Sequence, residues 1–288
     1  MKLNLSKKMF KVFIFLSLVS LFADMTYEGG RSIFGSYAKV LGASALLASL
    51  ATAGEFLGYA SRFISGMIAT KLKSSNVYWG LTISGYVINL IAIPLLAFSG
   101  NWFIAILLIF LERIGKGLRS PARDVILAEV TEKMGRGKAF GLHEALDQIG
   151  AVAGPLIVSI SLFVTNSNYP ITFLILAIPA FLALFFLFGA YFEYPNVKAA
   201  EKNFEKKSFK SKDNMKIFWL YSIAMSLVSL GFISWVNVSY ILKASNVFPD
   251  YSIATFYLIA MLADGLLALP IGLMYDKFGL VSLIFAPI

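Results

Sequence analysis

The sequence predicts an all-α membrane protein, and three observations carry that prediction. Hydrophobic residues make up 58% of the chain and charged residues 14%, whereas a soluble domain is about half apolar and about a quarter charged. The apolar residues gather into runs of membrane-crossing length, parted by short polar breaks. The basic residues collect in alternate breaks. In lipid every backbone donor and acceptor must be paired within its own element, so these runs are helices rather than open strands.

The first run covers residues 12–38 and follows Lys2, Lys7, Lys8 and Lys11. Basic residues before an apolar stretch also begin a secretory signal, but no small-x-small cleavage site closes this one, and further apolar runs follow. An uncleaved first span is expected. Spans near 44–69, 76–98, 101–128, 138–164 and 169–192 then complete a six-helix bundle over residues 1–193. Residues 194–215, with KAAEKNFEKKSFKSKD at their centre, read as a cytoplasmic linker. Residues 216–288 hold an incomplete second bundle: spans near 216–241 and 251–275, and the start of a ninth near Leu280 that stops at Ile288. Several runs exceed the roughly 20 residues a bilayer needs, so tilt is expected.

Basic residues orient the chain. With the N-terminus inside, the inner breaks carry the first four lysines, Lys71, Lys73, Lys133, Arg136, Lys138, the lysines of the linker and Lys277. The outer breaks carry only Lys39 and Lys243. A multi-pass protein of the cell membrane with a cytoplasmic N-terminus is the expectation. The formal net charge of +9 follows from this arrangement, so no nucleic-acid partner is needed. The linker is a solvated inner loop on this reading, with binding of anionic lipid as the alternative.

Composition also narrows the chemistry. The chain has no cysteine and one histidine, His143. Disulfides, thiolate metal sites and cysteine nucleophiles are excluded, and imidazole-based metal sites or triads are disfavoured. No GxxxxGK[ST] phosphate loop is present. No cofactor, no metal and no enzymatic activity are expected.

The informative residues are charges inside the spans. Each costs roughly 2.5–3.5 kcal/mol at the bilayer centre on insertion scales, so together they must face one another, the bundle interior or water. Asp24, Glu28 and Arg31 of the first span follow i, i+4, i+7 spacing and share one helical face. Glu55 and Arg62 share a face of the second span. Glu112 and Arg113 lie in the fourth, followed by Lys116, Arg119, Arg123 and Asp124; His143, Glu144 and Asp147 lie in the fifth, and Asp264 in the eighth. Asp24, Glu28, Arg31, Glu55, Arg62, Glu112, Arg113, Asp147 and Asp264 are the candidates for a substrate or proton pathway. Pairing that only fixes helix packing is the alternative, for instance Glu28 with Arg62 or Glu55 with Arg113.

Three motifs add a family. Gly272-Leu-Met-Tyr-Asp276-Lys277-Phe-Gly279 resembles the GxxxD(R/K)xG loop signature that the major facilitator superfamily carries between its eighth and ninth spans. The related site between spans two and three reads Gly66-Met-Ile-Ala-Thr70-Lys71-Leu-Lys73, with threonine for the acid and lysine for the second glycine. Arg113-Ile-Gly-Lys-Gly117 is similar to the superfamily's RxxxG motif. Gly141, Gly150, Gly154 and Pro155 match the fifth-span G-x8-G-x3-G-P pattern found in exporters and antiporters, though Val158 and Ser159 replace its closing glycines.

The resemblance covers essentially the whole chain. It implies two six-helix bundles around a central site, and transport by alternating access without ATP hydrolysis. A small-molecule substrate and protons are the implied partners, within the lipid bilayer. Twelve spans are usual for the family, so a missing C-terminal fragment is a further expected partner, and the chain alone is not expected to transport. Acidic residues of the first span suit efflux of a cation; Arg31, Arg62 and Arg113 suit uptake of an anion. A membrane-embedded enzyme and a non-transporting scaffold or sensor are the rival classes.

Overall fold

The computed structural model describes residues 2–132, 136–198 and 212–279, and all regular secondary structure among them is helical. The helices are α1 (Lys2–Val40), α2 (Ala45–Ser49), α3 (Gly54–Leu72), α4 (Ser75–Leu95), α5 (Trp102–Val130), α6 (Arg136–Val164), α7 (Tyr169–Ile175), α8 (Ala177–Glu193), α9 (Lys212–Leu230), α10 (Trp235–Ser245) and α11 (Asp250–Phe278). A 3₁₀ turn at Leu50–Ala53 joins α2 to α3, and a second at Leu96–Phe98 ends α4. The predicted second span is therefore α2, a tight turn and α3, and the sixth is α7 followed by α8. Side-chain caps start several of these helices: Asn101 accepts from the Ile104 amide at 3.0 Å and Asn168 from the Ile171 amide at 3.1 Å, each satisfying a donor the helix itself cannot.

The contacts divide the chain into two compact units, one drawn from 1–202 with 235–262 and the other from 203–234 with 263–288. In the first, α1 is the central helix. It packs on α6, α8 and α10, while α5 packs on α3 and α4. Val12, Phe13, Leu16, Val19 and Ala23 of α1 are fully buried, at the three- and four-residue spacing that lines one helical face. Phe56 and Phe63 of α3 and Phe181, Phe185 and Phe192 of α8 stand exposed. A band of exposed large apolar side chains on long helices is the surface lipid covers.

Among the described residues five helical segments are long and apolar enough to cross a membrane: Lys7–Val40, Ser75–Phe98, Gly141–Val164, Tyr169–Glu193 and Asp250–Leu267. α3 and α5 are of similar length, with 19 and 29 residues. What sets those two apart is their internal charge, and that charge builds the site described below.

Small residues let helices touch backbone to backbone. A Cβ on Gly150 would lie 2.2 Å from the Leu21 carbonyl oxygen, and one on Gly154 would lie 2.3 Å from that of Met25. The two glycines, one turn apart, thus seat α6 directly on α1. Pro155 follows within α6 and removes one backbone donor there.

The seventh predicted span, 216–241, is not one helix. α9 ends at Leu230 and α10 begins at Trp235, with residues 231–234 between them. Gly231 disfavours helix continuation, and the Trp235 indole donates to the Ser32 carbonyl at 2.8 Å, which fixes the start of α10 on α1. Of the expected linker, residues 199–211 lie outside the described residues, as does the ninth span from Leu280; α9 already begins at Lys212. The first residues of the expected linker are fastened to α4 and α5. The Trp79 indole donates to the Tyr194 carbonyl at 2.9 Å, the Val197 amide to Ser75 Oγ at 2.8 Å, and the Tyr194 hydroxyl to Glu129 Oε1 at 2.6 Å. Burial and the neighbouring Glu129 push the Tyr194 phenol up, which keeps it a donor.

Candidate functional site

The charges of α1, α3 and α5 converge inside the first unit. Glu28 Oε1 lies 3.1 Å from Arg31 Nη1, one turn along α1. Arg31 Nη2 reaches Glu55 of α3 at 3.5 Å, and Arg113 of α5 reaches the same Glu55 oxygen at 3.3 Å. Arg113 Nε is also 3.1 Å from Glu112 Oε2. Asn89 of α4 donates to Glu112 Oε1 at 2.8 Å. One chain of contacts therefore crosses four helices, alternating in sign. Glu28, Glu112 and Arg113 are buried, while Glu55 is 53% exposed by side chain. Buried charges persist when each has an opposite partner, and this chain supplies one to each.

Two further groups extend the site. Tyr257 of α11 donates its hydroxyl to Glu28 Oε2 at 2.5 Å. The Lys116 ammonium of α5 sits 3.9 Å from the centre of the Tyr27 ring, and the Tyr27 hydroxyl donates to Asp24. Towards the N-terminal end of α1 a second group follows. Arg123 meets Asp124 at 2.8 Å and Ser20 Oγ at 3.3 Å, and Arg62 lies 3.7 Å from Asp124. His143 and Asp147 of α6 lie beside α1 at that level, with His143 Nδ1 3.2 Å from Ser17 Oγ.

Of the two pairs offered as examples of the packing alternative, Glu55–Arg113 forms and Glu28–Arg62 does not, because Arg31 satisfies Glu28 and Arg62 turns to Asp124. Asp264 is exposed and belongs to the second unit. Asn89 and Tyr257 were not singled out from sequence. An asparagine inside the otherwise apolar run of α4 is the signal that could have found the first; nothing distinguishes Tyr257 among thirteen tyrosines. Among the described residues no group of three or more His, Asp or Glu is arranged to hold a metal.

The glycine motifs divide by role. Gly150 and Gly154 contact α1, whereas Gly141 is exposed, with nothing within 4 Å of a Cβ. Gly117 abuts α3, where a Cβ would lie 2.2 Å from the Gly58 carbonyl oxygen. Gly66 approaches only Pro121, at 3.9 Å. Lys71 and Lys277 are exposed, and the surroundings of Gly272 and of the Asp276 side chain lie outside what the structure describes.

The family model of the Major Facilitator Superfamily matches residues 12–287. The chain belongs to the major facilitator superfamily. An uncharacterized protein of Mycobacterium tuberculosis is 34% identical over 276 residues, covering 94% of this chain and 67% of that relative. An uncharacterized MFS-type transporter of Methanocaldococcus jannaschii is 25% identical over 237 residues, covering 80% of this chain and 57% of the relative. Among solved structures the nucleoside transporter NupG aligns with a TM-score of 0.70 at 15% identity, covering 94% of this chain and 69% of NupG. A POT family transporter, crystallised with a thioalcohol-conjugated peptide, aligns with a TM-score of 0.55 at 21% identity, covering 76% of this chain and 46% of that one. At these identities the two structures share the fold. This is a multi-pass, all-helical membrane protein of a transporter family.

Membership explains an oddity at the superfamily's loop signature. Gly279, the last residue of the second copy, adopts φ +61°. Lys73, its counterpart in the first copy, adopts φ +41° and ends α3 in the left-handed conformation. The backbone has kept the turn while the sequence has lost the glycine. Thr70, at the position of the acid, bonds back to the Gly66 carbonyl at 2.9 Å. A side chain in the left-handed region costs about 1 kcal/mol. Lys73→Gly is therefore expected to raise stability by about 1 kcal/mol, read as a higher melting temperature of the detergent-solubilised protein; an unchanged or lower melting temperature would show that lysine's own contacts outweigh the strain.

Proposed function

We propose that this chain, together with the further spans its second bundle calls for, moves a small solute across the cell membrane by alternating access, coupled to protons, with its N-terminus in the cytoplasm. On this reading residues 1–193 act as one bundle, 194–215 as a cytoplasmic linker, and 216–288 as part of the second bundle. The supporting observation is Glu28. This buried carboxylate of α1 is shared between Arg31 on its own helix and Tyr257 on α11, so a charge network in the first six spans ends on a helix of the second bundle. Movement of α11 away from α1 must break that bond, and a proton on Glu28 would weaken its hold on Arg31.

The pathway residues are then Asp24, Glu28, Arg31, Glu55, Arg62, Glu112, Arg113 and Asp147. The mixed signs of the exposed members, Glu55 and Arg62, suit a zwitterionic or hydrogen-bonding solute as well as a singly charged one. The closed end is where α10 packs on α1 and where Ser159 of α6 bonds Tyr251 and Thr255 of α11 at 3.0 and 2.8 Å; with the N-terminus inside, it faces outward.

Because the chain lacks cysteine, labels can be placed without background. Spin labels at Leu46→Cys and Ile241→Cys, both exposed positions, report the α2–α10 separation in nanodiscs. Two separations whose balance shifts with pH are the expected result. One fixed separation across pH, with no proton flux in liposomes, would favour a non-transporting membrane protein.

A further inference from the structure

The chain's one histidine is not used by the network around Glu28, and it is placed as a functional group would be. His143 is 4% exposed. Its Nδ1 is 3.2 Å from Ser17 Oγ of α1, which fixes the ring. Among the described residues its Nε2 has no hydrogen-bond partner, and neither has Asp147 Oδ1, although the two atoms are 4.0 Å apart on consecutive turns of α6. Buried polar atoms are nearly always paired. Two that are unpaired and face each other, about 1 Å beyond bonding distance, describe a bond present in one protonation state and relaxed in another.

We propose that His143 and Asp147 form a proton-binding dyad, which takes one proton from water and holds it between Nε2 and the Asp147 carboxylate. This inference rests on the transport reading above and adds a second proton-binding site to it. In the protonated ring both nitrogens carry hydrogen, so Nε2 is a donor whichever tautomer the neutral ring holds, and a small side-chain rotation brings it onto Oδ1. Other charged groups around the dyad come from each neighbouring helix. From α5, Arg119, Arg123 and Asp124 act on His143, and Arg123 is already tied to Asp124 at 2.8 Å. From α1, Asp24 is close enough to Asp147 for the two carboxylates to repel, with Lys116 of α5 and the Tyr27 hydroxyl on the Asp24 side. Glu144, beside His143 in sequence, is exposed. A proton in the dyad removes the Asp24–Asp147 repulsion across the α1–α6 contact. α6 carries that change onward, since Gly150 and Gly154 seat it on α1 and Ser159 bonds it to α11.

A single histidine makes the test direct. Protein grown with isotope-labelled histidine gives one imidazole signal, followed in nanodiscs between about pH 4 and pH 9. We expect the wild-type ring to titrate, and Asp147→Asn to weaken its proton affinity by at least tenfold, because the negative partner is gone. Ser17→Ala should alter the balance of tautomers with a smaller change in affinity. A ring that does not titrate, or an unchanged midpoint in Asp147→Asn, overturns the dyad. The Leu46–Ile241 separation is read on the same samples. If the ring titrates as expected while the separation ignores pH, the dyad stands and coupled transport falls. If the separation follows pH while the ring stays silent, transport stands and the dyad falls.

Discussion

Gly35→Leu is expected to hold α1 and α10 apart and to abolish transport, with little loss of folded protein. Gly35 lies where α1 meets α10 with no room to spare: a Cβ there would lie 2.0 Å from the Val236 carbonyl oxygen and 2.3 Å from Ser239 Oγ. Neither neighbour can yield easily, since Val236 contributes backbone and Ser239 is fully buried. The bonds that close this contact depend on the same approach. Ser36 donates to the Ser239 carbonyl at 3.1 Å, Tyr240 to the Ala43 carbonyl at 2.8 Å, and Trp235 to the Ser32 carbonyl at 2.8 Å. Each such bond contributes about 1 kcal/mol, so the closed contact loses a few kcal/mol together with its packing, enough to move a balanced two-state equilibrium almost wholly to the open side. The packing of α1 on α6 and α8 does not involve Gly35 in this way, so the bundle should still form. The check is the Leu46–Ile241 label separation, which should collapse to its longer value at every pH, with transport reduced at least a hundredfold; Gly35→Ala should give a partial shift. If the short separation persists in Gly35→Leu, the contact between α1 and α10 is not what closes this end.

The helices were legible because membrane thickness sets their length. Apolar runs of about 20 residues must be helices in lipid, and the observed ends of α4, α5 and α6, and of α7 and α8 taken together, fall within a few residues of the runs that predicted them. The break after α9 was hidden because Gly-Phe-Ile-Ser at 231–234 stays apolar: hydropathy measures affinity for lipid, not continuity of hydrogen bonding. Partners within the site were legible only where helical geometry decides them. Arg31 lies one turn from Glu28 and meets Glu55. Arg62 is seven residues beyond Glu55, about 10 Å further along α3, which carries it away from Arg31 and towards Asp124. That displacement, invisible until the level of α3 against α1 is known, is why Glu28 and Arg62 do not pair. Tyr257 meets Glu28 from 229 residues away, and no local pattern announces such a contact.

Glu28→Gln and Tyr257→Phe separate the two tasks assigned to one carboxylate. Glutamine keeps the size of Glu28 and can still accept from Tyr257, but it gives Arg31 no opposite charge. Breaking one side of a buried ion pair costs about 3–5 kcal/mol. The lower end applies here, because Arg31 keeps Glu55 at 3.5 Å and its side chain is 26% exposed. Phenylalanine at 257 does the reverse. It leaves the Glu28–Arg31 pair at 3.1 Å intact and removes the 2.5 Å bond from α11, a bond to a charged acceptor worth about 1.5–3 kcal/mol. If Glu28 couples a proton to movement of α11, Glu28→Gln should keep near-normal expression and lose proton-dependent flux at least tenfold. Tyr257→Phe should keep the pH dependence of the label separation but shift the balance towards the open form. The two effects differ in kind, which a purely structural role cannot reproduce: a carboxylate that only fixes helix packing would make both variants less stable in proportion and leave any flux equally pH-dependent. Equal losses of stability with unchanged pH dependence would therefore remove Glu28 from the mechanism and leave it as a tie between helices.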